Sequence, residues 1–265
     1  MASDVIKLSS RATQDFWEIP VVYEDDCLLA LNKPPLLLTS PDRYDPERPN
    51  LMKLLHRDIE RGAPWVKSKK ISYLANAHRL DFETSGVILL TKSKPALVAV
   101  ANLFGSEKPL KTYVAIAEGT PVDDEFTIDA ALSPNPIKLG QMKVDTKQGK
   151  RSLTRFKSRE KFKGYTLLEC SPLTGRTHQI RVHLKYARHP IVGDAVYGGG
   201  QLLLSDLKPE YRLKGKKIER PLLSTTALHA EKLELVHPIT GSPVLMQAEW
   251  PKDFAVAVKY LRKYA

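Results

Sequence analysis

Two apolar stretches in the first third of the chain flank a short segment that carries an acid, Asp81. Residues 71–77 form an apolar approach, residues 87–90 read Val-Ile-Leu-Leu, and the sequence HRLDFETSG lies between them. This pattern predicts that Asp81 lies in a tight loop at the mouth of a strand. Arg79 lies two residues earlier, and a nearby cation favours the charged form of a carboxylate. Such an acid suits a nucleophile, a base or a structural ion pair, and the loop alone does not separate these roles.

The nine residues 78–86 resemble the HRLD-x-x-TSG signature of the RluA-type pseudouridine synthases, in which the Asp is the catalytic residue. The resemblance implies that Asp81 is the catalytic carboxylate. It extends to further blocks in the family's order, across roughly residues 21–255. These blocks are residues 21–35 (VVYEDDCLLALNKPP), 111–116 (KTYVAI), 174–184 (TGRTHQIRVHL), 189–194 (HPIVGD), 197–199 (YGG), 228–230 (LHA) and 237–241 (HPITG).

The family's fold and domain organisation are expectations for this chain. Strands and helices interleave without regular βαβ spacing, which favours the α+β class. The resemblance implies a mixed, largely antiparallel central sheet with flanking helices and a catalytic cleft across the sheet. We expect residues 1–19 to be a polar leader and residues 20–265 to be the catalytic domain. Many relatives carry an accessory RNA-binding domain of about sixty or more residues, which nineteen residues cannot encode, so RNA recognition is expected from the catalytic domain itself.

Four further residues are candidates for binding the substrate. By resemblance, Tyr113 stacks on the uracil and Arg176 forms an ion pair with Asp81 that orients the carboxylate. Tyr113 also suits a core position with its hydroxyl at the edge, and Arg176 also suits a phosphate or carboxylate pair without catalytic consequence. Ile180 is interpreted either as a residue of the hydrophobic core or as one wall of the pocket that holds the base. Arg79 pairs with Asp81 or contacts the RNA where the uridine is extruded from its stack.

Capping and periodicity predict the principal elements. Leucines recur at helical spacing over residues 50–61, and Gly62 is placed to end that helix. Ser93 is a candidate N-cap for a second helix. Further helices are expected over residues 177–187 and 253–264. Strands are expected at residues 21–23, 28–32, 111–117 and 166–170, and residues 152–162 are expected to form a hairpin.

The charge of the chain favours a polyanionic partner. Lys and Arg number 41 against 30 Asp and Glu, a formal net charge of +11 over 265 residues. Residues 138–163 contain ten basic residues opposed by Asp145 and Glu160, and residues 208–220 contain a second basic cluster. A solvated hairpin and a surface loop are the simpler interpretations. Their shared sign predicts contact with the backbone of ribosomal or transfer RNA.

No cofactor, metal ion or membrane is expected to take part. Nucleotide-binding glycine loops are absent from the sequence, and the histidines at 178, 183, 189 and 229 lack metal-ligand spacing, so they are interpreted as hydrogen-bonded framework residues. Cys27 and Cys170 are expected to be reduced thiols. No secretory signal or bilayer-length apolar run is present. We therefore expect a cytoplasmic protein that acts as a monomer.

Two other classes of function compete with an RNA pseudouridine synthase. An RNA-binding or RNA-folding protein without catalysis would explain the net charge, but a negative charge at a base pocket repels RNA unless chemistry requires it. A hydrolase of glycosidic bonds would use two opposed carboxylates. Only Asp81 has the support of a motif, and Glu83 is expected to brace the loop.

Overall fold

The computed structural model of the chain describes residues 4–10, 12–42, 45, 47–212 and 218–265. It divides into two compact units. Unit 1 comprises residues 1–110 and 230–249, and unit 2 comprises residues 111–229 and 250–265. Each unit has its own hydrophobic core and its own strand pairing.

Unit 1 is built on antiparallel strands. Its elements are β1 (Val5–Ser9), β2 (Phe16–Glu24), β3 (Leu28–Lys33), α1 (Leu51–Glu60), α2 (Pro64–Ser68), β4 (Ala75–Asn76), β5 (Ser85–Thr91), α3 (Lys94–Gly105), β12 (Leu228–Val236, in this unit from Ala230) and β13 (Pro243–Gln247). The strands run in the order β1-β2-β3-β5-β12, with β13 paired to β12 and β4 to β5. All seven residues of β5 are buried, which explains the continuous apolar run after the acid loop.

Side-chain caps set the starts of two helices in unit 1: Ser93 is the predicted cap of α3, and Asn50, expected as the first residue of α1, caps it instead. The Asn50 side chain accepts a hydrogen bond from the backbone N–H of Lys53 at 2.9 Å, and Ser93 does the same for Ala96 at 3.3 Å. These bonds satisfy N–H groups that a helix leaves unpaired at its start. Gly62 has a φ of 61° directly after α1, a conformation that glycine adopts without steric penalty. Both predicted helices are confirmed.

Unit 2 combines a four-stranded antiparallel arrangement with three helices. Its elements are β6 (Leu110–Glu118), β7 (Glu125–Asp129), β8 (Leu132–Pro134), β9 (Met142–Val144), β10 (Leu153–Phe162), β11 (Tyr165–Pro172), α4 (Gln179–Tyr186), α5 (Leu204–Leu207) and α6 (Lys252–Tyr264). The strand order is β6-β11-β10-β7, and β8 and β9 form a separate hairpin. β10 and β11 are the hairpin that the sequence predicts, with Gly164 in its turn. The α+β class with largely antiparallel pairing and flanking helices is confirmed.

Two local expectations differ from the structure. Residues 5–9, expected in a polar leader, form β1 and pair with β2, because Ile6 and Leu8 alternate with polar residues and are both fully buried. The fourth helix begins at Gln179 rather than at Thr177, because His178 has a left-handed backbone with a φ of 53°. In the part of the chain that the structure describes, no helix has the length and apolarity to span a bilayer.

Candidate active site

The backbone of the loop that carries Asp81 is fixed while the carboxylate remains partly exposed. Leu80 is buried, and its N–H and C=O both lie 3.1 Å from the Oγ1 of Thr39, which accepts from the first and donates to the second. The Thr84 N–H donates to the Asp81 carbonyl at 3.2 Å. A partly exposed acid on a fixed backbone can meet a substrate without losing its orientation.

Aromatic contacts support the loop on either side of Asp81. The Nε2 of His78 accepts the Leu89 N–H at 2.9 Å, and its ring stacks on Phe104 with the centroids 4.6 Å apart. The Arg48 guanidinium lies 3.9 Å from the centroid of Phe82. His78 therefore joins the loop to β5, and the Arg48 guanidinium forms a cation–π contact with the ring of Phe82. Arg79, between these supports, is exposed.

A fully buried lysine lies in the same unit and interacts electrostatically with Asp81. Lys33 is 0% exposed, and its Nζ donates to the carbonyls of Pro34 at 2.8 Å and Leu37 at 2.7 Å. Burial lowers the pKa of Lys33 to about 7, and the Asp81 carboxylate acts in the opposite direction. Lys33 was not predicted as a site residue, although its position at the end of the largely apolar strand Leu28–Lys33 is a signal in the sequence.

Tyr113 and Ile180 belong to one hydrophobic cluster of unit 2. Tyr113 lies on β6, opposite Cys170 of β11, and is partly buried against this cluster. Ile180 lies on the first turn of α4 and is 5% exposed, so its place in the core is confirmed. A partly buried tyrosine beside an aliphatic surface can present a ring face to a base.

Arg176 lies in a turn whose geometry is set by Gln179. The Gln179 Oε1 accepts from the Thr174 hydroxyl at 2.6 Å and from the Arg176 N–H at 3.0 Å, while its Nε2 donates to Thr154 at 2.9 Å. Arg176 itself is exposed and donates from Nε to the Arg151 carbonyl at 3.1 Å. The turn is thus anchored through a buried amide that the sequence analysis did not single out.

A buried ion pair supports the same helix. Arg181 and Asp194 form a bidentate pair at 2.7 and 2.8 Å, and the Arg181 guanidinium lies 5.0 Å from the Tyr197 ring. The Tyr197 hydroxyl is 2.7 Å from His178 Nδ1. The motif blocks at 174–184, 189–194 and 197–199 therefore contact one another within unit 2, which spacing along the chain does not reveal.

The histidines of the motif blocks have framework contacts. His183 Nδ1 lies 2.9 Å from Thr154 Oγ1 and its Nε2 lies 3.0 Å from the Ala130 carbonyl. Burial lowers the pKa of His183, so its ring is neutral at neutral pH. His189 Nδ1 lies 2.9 Å from the Glu118 carbonyl. Together with the contact between His178 and Tyr197, these hydrogen bonds account for three of the four histidines.

One group among the described residues has donor atoms close enough to hold a metal ion. The donor atoms of Asp25, Cys27 and His237 lie within 4.8 Å of one another. Hydrogen bonds already occupy the Asp25 carboxylate: Oδ1 accepts from two backbone N–H groups, and Oδ2 accepts from the Tyr23 hydroxyl at 2.6 Å. The Nδ1 of His237 accepts from two backbone N–H groups, and its Nε2 lies 3.0 Å from Asp25 Oδ2. The Asp25 hydrogen bond raises the pKa of Tyr23 to about 12. The hydrogen bonds of Asp25, between β2 and β3, and of His237, after β12, explain why these donor atoms lie close together.

The basic stretch 138–163 divides into paired and unpaired cations. Lys157 pairs with Glu125 and Lys161 with Asp124, both at 2.7 Å. Within the described ranges, six other cations of the stretch form no ion pair: Lys138, Lys147, Lys150, Arg151, Arg155 and Lys163. The second stretch, 208–220, lies partly outside the described residues, which omit 213–217.

Comparison with known proteins gives consistent similarities. Residues 27–186 match the family model described as RNA pseudouridylate synthase. The chain is 35% identical over 248 residues to ribosomal large subunit pseudouridine synthase D of Xylella fastidiosa, covering 92% of this chain and 70% of that protein. It is 32% identical to the protein of the same name from Xanthomonas campestris pv. campestris, covering 98% and 74%.

Solved structures show the same fold. Human RNA pseudouridylate synthase domain containing 4 superposes with a TM-score of 0.69 at 23% identity, covering 91% of this chain and 92% of that one. Human RNA pseudouridylate synthase domain containing 1 gives 0.63 at 24% identity, covering 88% and 84%.

Proposed function

The chain belongs to the RNA pseudouridylate synthase family, enzymes that isomerise uridine to pseudouridine within RNA, and we propose that Asp81 is the carboxylate on which its reaction depends. The observation that carries this proposal is a partly exposed carboxylate on a loop whose backbone is fixed on both sides. The resemblance of HRLDFETSG to the family's signature supports the same residue.

The reaction exchanges one bond to the ribose for another. The bond from the uracil N1 to C1′ breaks, the freed base turns over, and C5 bonds to C1′. The hydrogen on C5 then leaves as a proton, and N1 takes up a proton, so the atoms of the nucleotide are conserved. Asp81 either attacks the sugar covalently or removes a sugar proton. No electron is transferred, and we propose that the protein needs no metal ion or cofactor.

Four residues are proposed to serve the same nucleotide. Tyr113 would stack on the uracil, Ile180 would form one wall of the base pocket, and Arg176 would pair with the carboxylate. Arg79 would contact the RNA where the uridine leaves its stack, a role that its exposure permits. The hydrogen bonds from Gln179 support the proposal for Arg176, because they fix the turn that carries it.

We further propose that the substrate is large-subunit ribosomal RNA. The relatives named above are ribosomal large subunit pseudouridine synthases, and the net charge of +11 suits a polyanion. We propose that residues 20–265, together with the paired strand β1 and the start of β2, form the catalytic domain and that the protein acts as a monomer in the cytoplasm. Cys27 and Cys170 are free thiols, which suits a reducing compartment.

Mapping pseudouridine in cells with and without this protein tests the substrate. The proposal expects at least one large-subunit ribosomal site to disappear on deletion and to return with the wild-type gene. It also expects the purified protein to modify that site in an unmodified transcript. A lost site in transfer RNA with ribosomal RNA unchanged would overturn the ribosomal assignment. Unchanged pseudouridine in every RNA, together with no activity in vitro, would overturn the enzymatic role.

A further inference from the structure

An exposed leucine occupies a backbone conformation that leucine rarely adopts. Leu36 has a φ of 60° and lies in the turn after β3, yet it is 49% exposed. A positive φ at this position of a turn normally selects glycine or asparagine, and it costs other residues about 1–2 kcal/mol. Because the side chain is half exposed, burial of Leu36 does not offset this cost.

Leu36 differs in kind from the other strained residues. The remaining non-glycine residues with positive φ in the described ranges are all polar: Gln14, Lys70, Glu107, His178 and Arg188. Single exposed apolar residues are common on proteins and need no explanation by themselves. An exposed apolar residue on strained backbone is different, because strain of this kind concentrates at ligand-contact sites.

The turn that presents Leu36 is fixed to the loop of Asp81. The buried Lys33 donates to the carbonyls of Pro34 and Leu37, on the two sides of Leu36. Leu37 is fully buried, and Thr39 forms its two hydrogen bonds with Leu80, next to the proposed catalytic carboxylate. The same lysine interacts electrostatically with Asp81. Leu36 is thus held on a rigid support in the same unit as Asp81.

We propose that Leu36 is an RNA-contacting residue that packs against a nucleobase next to the extruded uridine. This inference rests on the proposed function. Extrusion leaves a neighbouring base with an uncovered face, and proteins cover such faces with apolar side chains that also wedge base steps apart. Contact with a base face is sequence-tolerant, so Leu36 contributes to binding and extrusion rather than to the choice of base. Burial of the exposed apolar surface of one leucine side chain against a base contributes about tenfold to affinity.

Tritium release from a large-subunit ribosomal RNA transcript labelled at uridine C5 tests the proposal, since that hydrogen leaves in the reaction. We expect Leu36→Ala and Leu36→Asn to raise KM by about tenfold with kcat within threefold of wild type. Leu36→Asn should also melt at or above the wild-type temperature, because asparagine tolerates a positive φ. Leu245→Ala is the matched control, a leucine of the same unit that is 55% exposed on β13.

The KM values of the variants decide whether Leu36 contacts the RNA. A wild-type KM in both Leu36 variants overturns the proposal, as does an equal rise in KM for Leu245→Ala. If Leu36→Ala unfolds, the kinetics of Leu36→Asn decide instead. The variants are compared on whichever transcript, ribosomal or transfer RNA, the wild-type protein modifies, so that their KM values decide the proposal in either case. Failure of the wild-type protein to release tritium from both transcripts would count against the proposed function itself.

Discussion

Lys33 and Asp81 are electrostatic partners within one unit: burial lowers the pKa of the lysine to about 7, and the negative charge of Asp81 limits that shift. At neutral pH the pKa of Lys33 is therefore close to the pH, and the side chain is only partly protonated. The charge on Lys33 therefore varies with pH around neutrality, and with it the electrostatic interaction with Asp81. Lys33 fixes the turn of Leu36 through its hydrogen bonds to Pro34 and Leu37, and Thr39 joins the same segment to Leu80 in the loop of Asp81.

The first prediction concerns stability against pH. The pKa of Lys33 is about 7 in the folded state and 10.5 ordinarily, so between these values the unfolded chain binds more protons. The contribution of Lys33 to the free energy of unfolding should therefore rise with pH from about 7 to about 10, by up to a few kcal/mol. Below pH 7 both states are protonated, and this contribution is constant.

Denaturant unfolding of wild type and Lys33→Met at half-unit steps of pH measures this effect. The difference between the two free energies of unfolding should change steadily across the window, in favour of wild type as the pH rises. A constant difference from pH 6 to pH 10 would show that Lys33 titrates normally in the folded protein.

The second prediction concerns the glycine that follows the acid loop. Gly86 has a φ of 112°, and a Cβ placed there would lie 2.2 Å from the Ala230 carbonyl oxygen of β12. Gly86→Ala should lower the free energy of unfolding by about 2 kcal/mol or more, because backbone must move. Gly105→Ala, in α3 with open space around it, is the control and should be neutral or slightly stabilising. Equal stabilities for the two variants would contradict the close approach of β5 and β12.

The third prediction separates catalysis from stability at Arg176. Its side chain is exposed and makes one hydrogen bond to a backbone carbonyl, so Arg176→Ala should change the free energy of unfolding by less than about 1 kcal/mol. Turnover should fall by about tenfold or more if the guanidinium orients the carboxylate. Arg188→Ala, which removes an exposed arginine elsewhere in unit 2, should leave turnover unchanged. Equal kinetics for both variants would remove Arg176 from the proposed site.

The fourth prediction uses the division of cations in the stretch 138–163. Changing Lys147, Lys150 and Arg151 to glutamine should weaken RNA binding and reduce the slope of log affinity against log salt by about 2 to 3. Lys157 and Lys161 are already paired with carboxylates. Changing those two to glutamine should alter the slope much less. Similar slopes in both variants would mean that the unpaired cations do not contact the RNA backbone.

Local patterns were enough to predict the capped helices and the principal strands. Asn50 and Ser93 each satisfy a backbone N–H three residues later, a relationship that depends on neighbours in the chain alone. The strand β1 was missed because its five residues gain stability from β2, and a short polar-apolar alternation is weak evidence without its partner.

The candidate site was predicted in part. Asp81 and the turn of Arg176 were visible as motifs, while their supports were not. Lys33 was overlooked because a lysine is rarely buried, and its role depends on carbonyls that turn back toward it. Gln179 and Thr39 act through contacts with residues that only the fold brings near them. Such supports are visible only once the tertiary structure is known.

The rate of pseudouridine formation by Asp81→Asn tests the central claim most directly. Tritium release at saturating protein should be measured for wild type, Asp81→Asn and Glu83→Gln, a matched change two residues away in the same loop, together with RNA affinity and melting temperature. We predict that Asp81→Asn folds and binds RNA with an affinity within about threefold of wild type, while its rate falls by about 10³-fold or more and that of Glu83→Gln does not. Turnover by Asp81→Asn within tenfold of wild type would contradict the account.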